Sequence, residues 1–167
     1  MQIVADDRRL VSRVLRRWEE IAAGRQLPSK HDIRPWMVGN DWANCVLVRR
    51  TAAPGDWFFA VVGDKLAPTP QRMLAGEPIA ACPDDTLLGL MLSFLPRVLS
   101  SRMHFIVEGA TSVLAGGPIL YRCVLLPLSD DGNHIDAVLG AANYRKLGEA
   151  ERAEPHTRIH FNRRQIA

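Results

Sequence analysis

The sequence predicts an α+β domain in which helices cover one face of an antiparallel sheet. Five apolar runs bounded by turn residues are typical of strands, and helical patterns interrupt them between the second run and the third. A further amphipathic helix precedes the first strand. With 167 residues, the chain is long enough for one domain of this kind with a sizeable core.

The strongest strand signal is a hairpin centred on Gly132. Asp-Gly between two apolar runs favours a tight turn, because Gly132 accepts the positive φ that such a turn requires. Before the turn, alternation places Tyr121 and Cys123 on one face of a strand. After it, residues 135–144 form a second predicted strand, whose small residues leave room for something to lie close against the sheet.

The remaining elements follow from turn residues and prolines. Residues 44–50 and 57–63 form a first hairpin, and a further strand starts at residue 104. Prolines between residues 64 and 85 permit only short helical turns. A largely buried helix then runs from Thr86, capped by Asp84 or Asp85, to Ser101, with a kink at Pro96.

The N-terminal helix has Asp6-Asp7 as its predicted N-cap and ends at Gly24. Its apolar residues recur every three or four positions, which gives one apolar stripe. The stripe either packs on its own domain or pairs with a second subunit. The residues of this candidate dimer helix are Leu10, Val14, Trp18 and Ile21.

Composition narrows the functional classes. The net charge of +3 does not argue for nucleic acid, because the arginines are scattered in pairs. The N-terminus turns acidic before a signal-peptide core could form, and the apolar stretch at residues 87–99 is too short to span a bilayer. The cysteines, Cys45, Cys82 and Cys123, lack CxxC spacing, so we expect no disulfide framework and a cytoplasmic location without membrane contact.

Three motifs resemble one family. The chain is similar to a PAS domain, specifically to the proteobacterial subfamily whose last hairpin carries a leucine-proline-leucine-serine-aspartate-aspartate-glycine signature. Supporting motifs are residues 27–29 and residues 59–63. The signature residues here are Leu126, Pro127, Leu128, Ser129, Asp130, Asp131 and Gly132.

The resemblance extends from about Leu10 to Tyr144 and implies a five-stranded antiparallel sheet in the order 2-1-5-4-3. It also implies a sensory or interaction role in signalling. We divide the chain into the N-terminal helix (1–26), a PAS-like domain (27–146) and a polar, mobile C-terminal tail (147–167). One departure is the proline-rich stretch after Gly63, where the family has helices that close its ligand cavity.

The residues do not favour a known cofactor. Cys82 lies in Ala-Ala-Cys-Pro, which is not the cysteine helix that holds a covalent flavin. The long helix lacks histidine, and His104 follows its end, so we do not expect haem. His156 and His160 have the i, i+4 spacing of metal ligands, but no nearby Cys or Asp completes a metal site.

The leading hypothesis is a stand-alone, non-catalytic PAS-type module of bacterial signalling. It would bind a small molecule, a signalling protein or both, and form a homodimer. A ligand would lie in a cavity with apolar walls and a few polar groups. The candidate cavity residues are Leu90, Met91 and Phe94 on the helix and Tyr121, Cys123 and Asn143 on the sheet.

Two other classes stay open. One is a small cysteine-dependent enzyme that uses Cys123 or Cys82 with a histidine, although Cys123 is also interpreted as a buried apolar residue. The other is a nucleic-acid-binding regulator that uses the Arg-rich helix with Arg158, Arg163 and Arg164 in the tail. Turn geometry and solubility account for the acidic cluster around Gly132 without catalysis.

Overall fold

The computed structural model describes residues 2–53, 55–69, 73–151 and 155–160, without the side chains of residues 2–9. Short 3-10 turns complete the regular structure. The helices are α1 (Gln2–Ala22), α2 (Pro35–Val38), α3 (Leu87–Leu92) and α4 (Leu95–Ser101). The strands are β1 (Cys45–Arg50), β2 (Trp57–Val62), β3 (Phe105–Thr111), β4 (Ile119–Leu128), β5 (Ala137–Lys146) and β6 (His156–His160).

The strands form one antiparallel sheet in the order β2-β1-β5-β4-β3-β6. The predicted α+β class, the order 2-1-5-4-3 and the N-terminal helix are confirmed. Strand β1 pairs with β5, so the first and last predicted strands are neighbours in the middle of the sheet. The central strands β4 and β5 are therefore apolar along most of their length.

The sixth strand corrects the predicted count of five. Residues 156–160 lie in the segment that we expect to be a mobile tail, yet they pair antiparallel with β3. Ile159 lies opposite Val107 and is partly buried against the core. The other side chains of β6 are exposed, so its sequence lacks an apolar alternation and only backbone pairing identifies it as a strand.

Helices cover both faces of the central strands. A Cβ built on Gly140 would lie 3.2 Å from Met91 Cε, which places α3 on the face that Gly140 shares with Cys123. Helix α1 contacts β4 and β5 as well. Because Val124 and Leu126 on the opposite face are also fully buried, we place α1 over that face.

The helix ends differ from those predicted. Helix α1 begins at Gln2, so Asp6-Asp7 lies inside it and is not its N-cap. The cap of α3 is Thr86, whose hydroxyl accepts a 3.0 Å hydrogen bond from the Gly89 N–H, and not Asp84 or Asp85. The predicted kink is a break between α3 and α4. Pro96 lies in the first turn of α4, where its missing N–H costs no helical hydrogen bond.

The connection from β4 to β5, residues 129–136, is longer than the predicted tight turn. Gly132 has the expected positive φ of 77°. Asp131 Oδ1 accepts hydrogen bonds from the backbone N–H groups of Asn133 and His134, at 2.7 and 2.8 Å. These bonds stabilise a wide loop, so β5 begins at Ala137 and not at Ile135.

Candidate functional site

The predicted ligand cavity is divided between two faces of the sheet. Tyr121 and Cys123 lie on the face covered by α3, as the alternation predicts. Asn143 lies opposite Arg122 in the β4–β5 register and therefore points to the other face. Placing Asn143 in one cavity with Cys123 was wrong.

The space between α3 and the sheet is filled by side chains. Met91 and Cys123 have no exposed surface. A Cβ on Gly140 would lie only 2.8 Å from Cγ1 of Val46, its neighbour on β1, so the glycine leaves room over the sheet for the side chains of Val46 and Met91. Leu90 and Phe94 are half-buried and pack against this core. The small residues of β5 thus make room for protein side chains.

Two of the cysteines have strongly raised pKa values. Burial raises the pKa of the Cys123 thiol to about 12, and burial together with the Asp41 charge raises that of Cys45 to about 12. Cys82 is also buried, with its Sγ 3.5 Å from Thr86 Oγ1. A thiolate is the nucleophilic form of cysteine, so Cys45 and Cys123 are poorly suited to nucleophilic chemistry.

The apolar stripe of α1 belongs to the core of its own domain. Leu10, Val14 and Trp18 are 6%, 1% and 7% exposed, and Ile21 is partly buried against the same core. Trp18 Nε1 also donates a 3.0 Å hydrogen bond to the Pro127 carbonyl. The stripe is thus used within the chain, and it cannot serve as the solvent-facing dimer surface that we considered.

Two of the three motifs meet in a polar cluster, which we call the hairpin junction: Ser29, Lys30, Ser129, Asp130 and Asp136. The Ser129 N–H donates to the Pro28 carbonyl at 2.9 Å, and Ser29 Oγ donates to Asp130 Oδ1 at 2.5 Å. Lys30 pairs with Asp130 and, at 3.3 Å, with Asp136. The junction therefore fastens the segment after α1 to the β4–β5 loop.

Charge pairing outweighs desolvation at the hairpin junction. Burial acts to lower the pKa of Lys30, but its bonds to Asp130 and Asp136 and their charges raise it overall. Burial likewise acts to raise the pKa of Asp130, whereas the bonds from Lys30 and Ser29 lower it. Both partners are held in their charged forms. Each motif is visible in the sequence, but nothing in the sequence indicates that the two meet.

An open groove lies beside residues 133–135 of the same loop, between α4 and the start of β2. Its volume is about 600 Å³. The buried side chains of Trp57, Leu95 and Ile135 form its floor, and Leu99 is half-buried beside them. We call this site the α4 groove.

Two arginines lie at the rim of the α4 groove. Arg102 has a positive φ of 58°, and its guanidinium donates to the carbonyls of Gly132 (2.8 Å) and Asn133. Arg50 is exposed, and within the described part of the chain its side chain has no hydrogen-bond or ion-pair partner. Neither Asp nor Glu is among the described residues that line the groove.

Sequence reasoning missed the α4 groove for a physical reason. Arg50 ends β1, Trp57 begins β2 and Leu99 lies in α4, so no short motif contains them. The one local signal was Trp57, a large aromatic residue directly after the turn of the first hairpin. The groove exists only because the order of the strands brings the end of β1, the start of β2 and the β4–β5 loop together at one end of the sheet.

Two smaller cavities lie elsewhere. One, of about 230 Å³, is bounded by Leu87, Leu114 and Tyr144 near the β3–β4 turn. The other, of about 320 Å³, lies between α1 and α2 beside Trp36, which is 76% exposed. Both are lined in part by buried apolar side chains, but each also includes carboxylates among its lining residues: Asp85 in the first, and Glu20 and Asp41 in the second.

The residues considered for metal or nucleic acid are dispersed. His156 and His160 lie on a strand, where i and i+4 are roughly 13 Å apart, too far to share one ion. Within the described residues, no three His, Cys, Asp or Glu side chains cluster to hold a metal ion. Arg13 of α1 forms two 2.6 Å hydrogen bonds with the carboxylate of Asp41. Arg163 and Arg164 lie outside the described residues.

None of the helices in the described part of the chain combines the length and apolar character that a bilayer crossing needs. The sheet order and the helices on its faces define an α+β domain built on one antiparallel sheet. The family model described as "PAS domain" matches residues 8–143. The chain belongs to the PAS domain family. Comparisons with curated proteins and with solved structures gave no match.

Proposed function

We propose that the protein is a non-catalytic PAS module of bacterial cytoplasmic signalling, in the subfamily with the hairpin signature. It senses a small molecule and passes the signal to a protein partner. Family membership supports the sensory class. The binding site that we propose is the α4 groove, and the observation that carries this choice is its buried apolar floor beneath a cationic rim.

The packed core supports the α4 groove over the cavity predicted from the sequence. The side chains of Met91 and Val46 fill the space over Gly140 between α3 and the sheet, so a ligand there would have to displace buried side chains. In the groove, a ligand would cover surface that is already open. It would also contact α4 and the β4–β5 loop together, so its binding could change how these two elements move.

The test is native mass spectrometry and an absorption spectrum of the freshly purified protein, with identification of what denaturation releases. We expect a stoichiometric small molecule that is lost in Leu99→Glu, because this substitution places a charge on the groove wall. Ser100→Glu adds the same charge to an exposed position of α4 and should retain the molecule. A molecule retained equally by both variants would contradict the proposed site, and an apo protein would shift the proposal to protein contact.

The non-catalytic assignment makes its own prediction about thiol chemistry. With a pKa of about 12, roughly one Cys123 thiol in ten thousand is ionised at pH 8. We expect Cys45 and Cys123 of the native protein to react with a thiol reagent orders of magnitude more slowly than after unfolding. Fast labelling of native Cys123, mapped by peptide mass spectrometry, would favour the cysteine-dependent enzyme instead.

The homodimer expected from the sequence remains a proposal, with a surface outside the stripe of α1. Light scattering measures the mass of the particle in solution, which can be compared with the 18.6 kDa of one chain. Twice that mass at micromolar concentration would support the dimer. A mass of one chain over the whole concentration range would contradict it.

A further inference from the structure

We propose that the ligand of the α4 groove is a small amphipathic carboxylic acid, with its carboxylate on Arg50 and its apolar part on the Trp57–Leu99 floor. This inference rests on the proposed function, since it names the ligand class for the same site. It follows from the shape of the groove, from its charge and from the conformation of Arg102.

The shape indicates a small molecule. The volume of about 600 Å³ falls in the range of small-ligand sites. The floor is concave and consists of side chains that the fold already buries, so binding an apolar chain there requires no opening of the core. Burying such a chain is favourable in proportion to the apolar area removed from water.

The charge indicates an anion. Within the described residues, the groove lining has no carboxylate to neutralise the two arginines. A guanidinium matches a carboxylate with two parallel hydrogen bonds, which fixes the orientation as well as the affinity. A ligand with an apolar body and one carboxylate is complementary to both parts of the groove.

The two arginines have different tasks, and this favours a single negative charge. Arg102 already donates to the carbonyls of Gly132 and Asn133, so part of its hydrogen-bonding capacity holds the β4–β5 loop. Arg50 has no partner within the described part of the chain, so its donors remain free for the ligand. The guanidinium of Arg50 can thus bind one carboxylate of the ligand.

The backbone of Arg102 fixes the rim. Residues other than glycine rarely adopt its positive φ of 58°, and such conformations persist where surrounding contacts hold them. Arg102 is the C-cap of α4, a position where positive φ is common, and its backbone N–H donates a 2.8 Å hydrogen bond to the Val98 carbonyl. The two guanidinium bonds then attach the β4–β5 loop to this end of α4. They set the distance between α4 and the loop and therefore the width of the groove.

The experiment is calorimetric titration of the full chain with octanoate, 1-octanol and octylammonium, which share a tail and differ in the charge of the head. We expect octanoate to bind at least about tenfold more tightly than 1-octanol, and octylammonium to bind most weakly. Arg50→Gln should weaken octanoate by about tenfold or more and leave 1-octanol unchanged. Arg97→Gln removes an exposed arginine of α4 that does not line the groove, and it should change neither.

The outcomes separate this inference from the function on which it rests. Equal affinity for the three compounds, or octanoate binding that Arg50→Gln leaves intact, would overturn the carboxylate assignment. So would a neutral or cationic native ligand that Leu99→Glu displaces, although the groove would then remain the sensory site. A third outcome is that octanoate binds through Arg50 but Leu99→Glu still retains the native molecule. The groove would then bind carboxylic acids as proposed, and the native molecule would bind at another site.

Discussion

The β4–β5 loop contributes to two sites of opposite character. At the hairpin junction, Lys30 pairs with Asp130 and Asp136, and Ser29 donates to Asp130. At the α4 groove, Arg50 faces an apolar floor without an acidic neighbour among the described lining residues. The first arrangement joins two segments of the chain, whereas the second leaves a charged group free for a ligand.

The two sites should therefore contribute to different properties: the hairpin junction to stability and the α4 groove to ligand binding. A polar group that has its partners inside the protein destabilises the fold when it is removed, because the partner is left unsatisfied. A cation beside an open apolar surface contributes little to folding and gains a partner only on binding. Substitutions at the hairpin junction should change the free energy of unfolding, whereas substitutions at the α4 groove should change ligand affinity. The predictions that test this run from the largest expected effect to the smallest.

The largest effect should come from Trp18, whose indole lies under the hairpin junction. Trp18→Ala should lower the free energy of unfolding by about 3–5 kcal/mol, because it leaves a cavity and an unpaired Pro127 carbonyl. Urea denaturation measures this difference. Trp36→Ala, at a position that is 76% exposed, is the matched control and should change stability by less than about 0.5 kcal/mol. Equal losses in the two variants would contradict the placement of α1.

Asp130→Asn should have a smaller effect, about 1 kcal/mol. It removes the charge from a pair that is partly exposed to solvent, which limits its strength, and it leaves Lys30 with Asp136. The control is Asp64→Asn, an exposed carboxylate outside the hairpin junction. If both variants unfold at the same urea concentration as the natural chain, the junction does not contribute to stability.

The contribution of Asp130 should depend on pH with a definite sign. Its pKa in the folded state lies below the ordinary 3.8, so its stabilisation is present above pH 3.8 and is lost as the pH falls through the folded value. The pKa of Lys30 lies above 10.5, so its share is present below pH 10.5 and is lost as the pH rises through the folded value. The stability difference between the natural chain and Asp130→Asn should thus shrink as the pH falls below 3.8 and in strong alkali. A difference that grows in acid would contradict this assignment.

The smallest effect on folding should come from Arg50→Gln. Its stability should stay within about 0.5 kcal/mol of the natural chain, because the described structure contains no partner to lose. The same variant should lose octanoate affinity. A stability loss above 1 kcal/mol in the same urea assay would show that Arg50 has a structural role. It would also remove the contrast between the hairpin junction and the α4 groove.

Local patterns predicted the strands and one face of each. The alternation of Tyr121 and Cys123 and the spacing of Leu10, Val14 and Trp18 were sufficient, because apolar periodicity reflects burial directly. The family resemblance supplied the strand order, which alternation does not contain. Strand β6 was missed because its exposed polar side chains show no such period. Asn143 was misplaced because its face depends on the register between β5 and β4, which alternation within one strand does not give.

The sequence by itself thus determined strands β1 to β5, the main helices and most of the side chains in them that face a core. The tertiary structure decided what those elements meet. Ser29 and Asp130 are 101 positions apart, and Arg50 and Leu99 belong to different elements. Such contacts depend on the order of strands in the sheet and on the packing of α3 and α4 against it. A hydrogen bond or a groove between distant segments leaves no periodic trace in the chain, so it becomes visible only when the fold is complete.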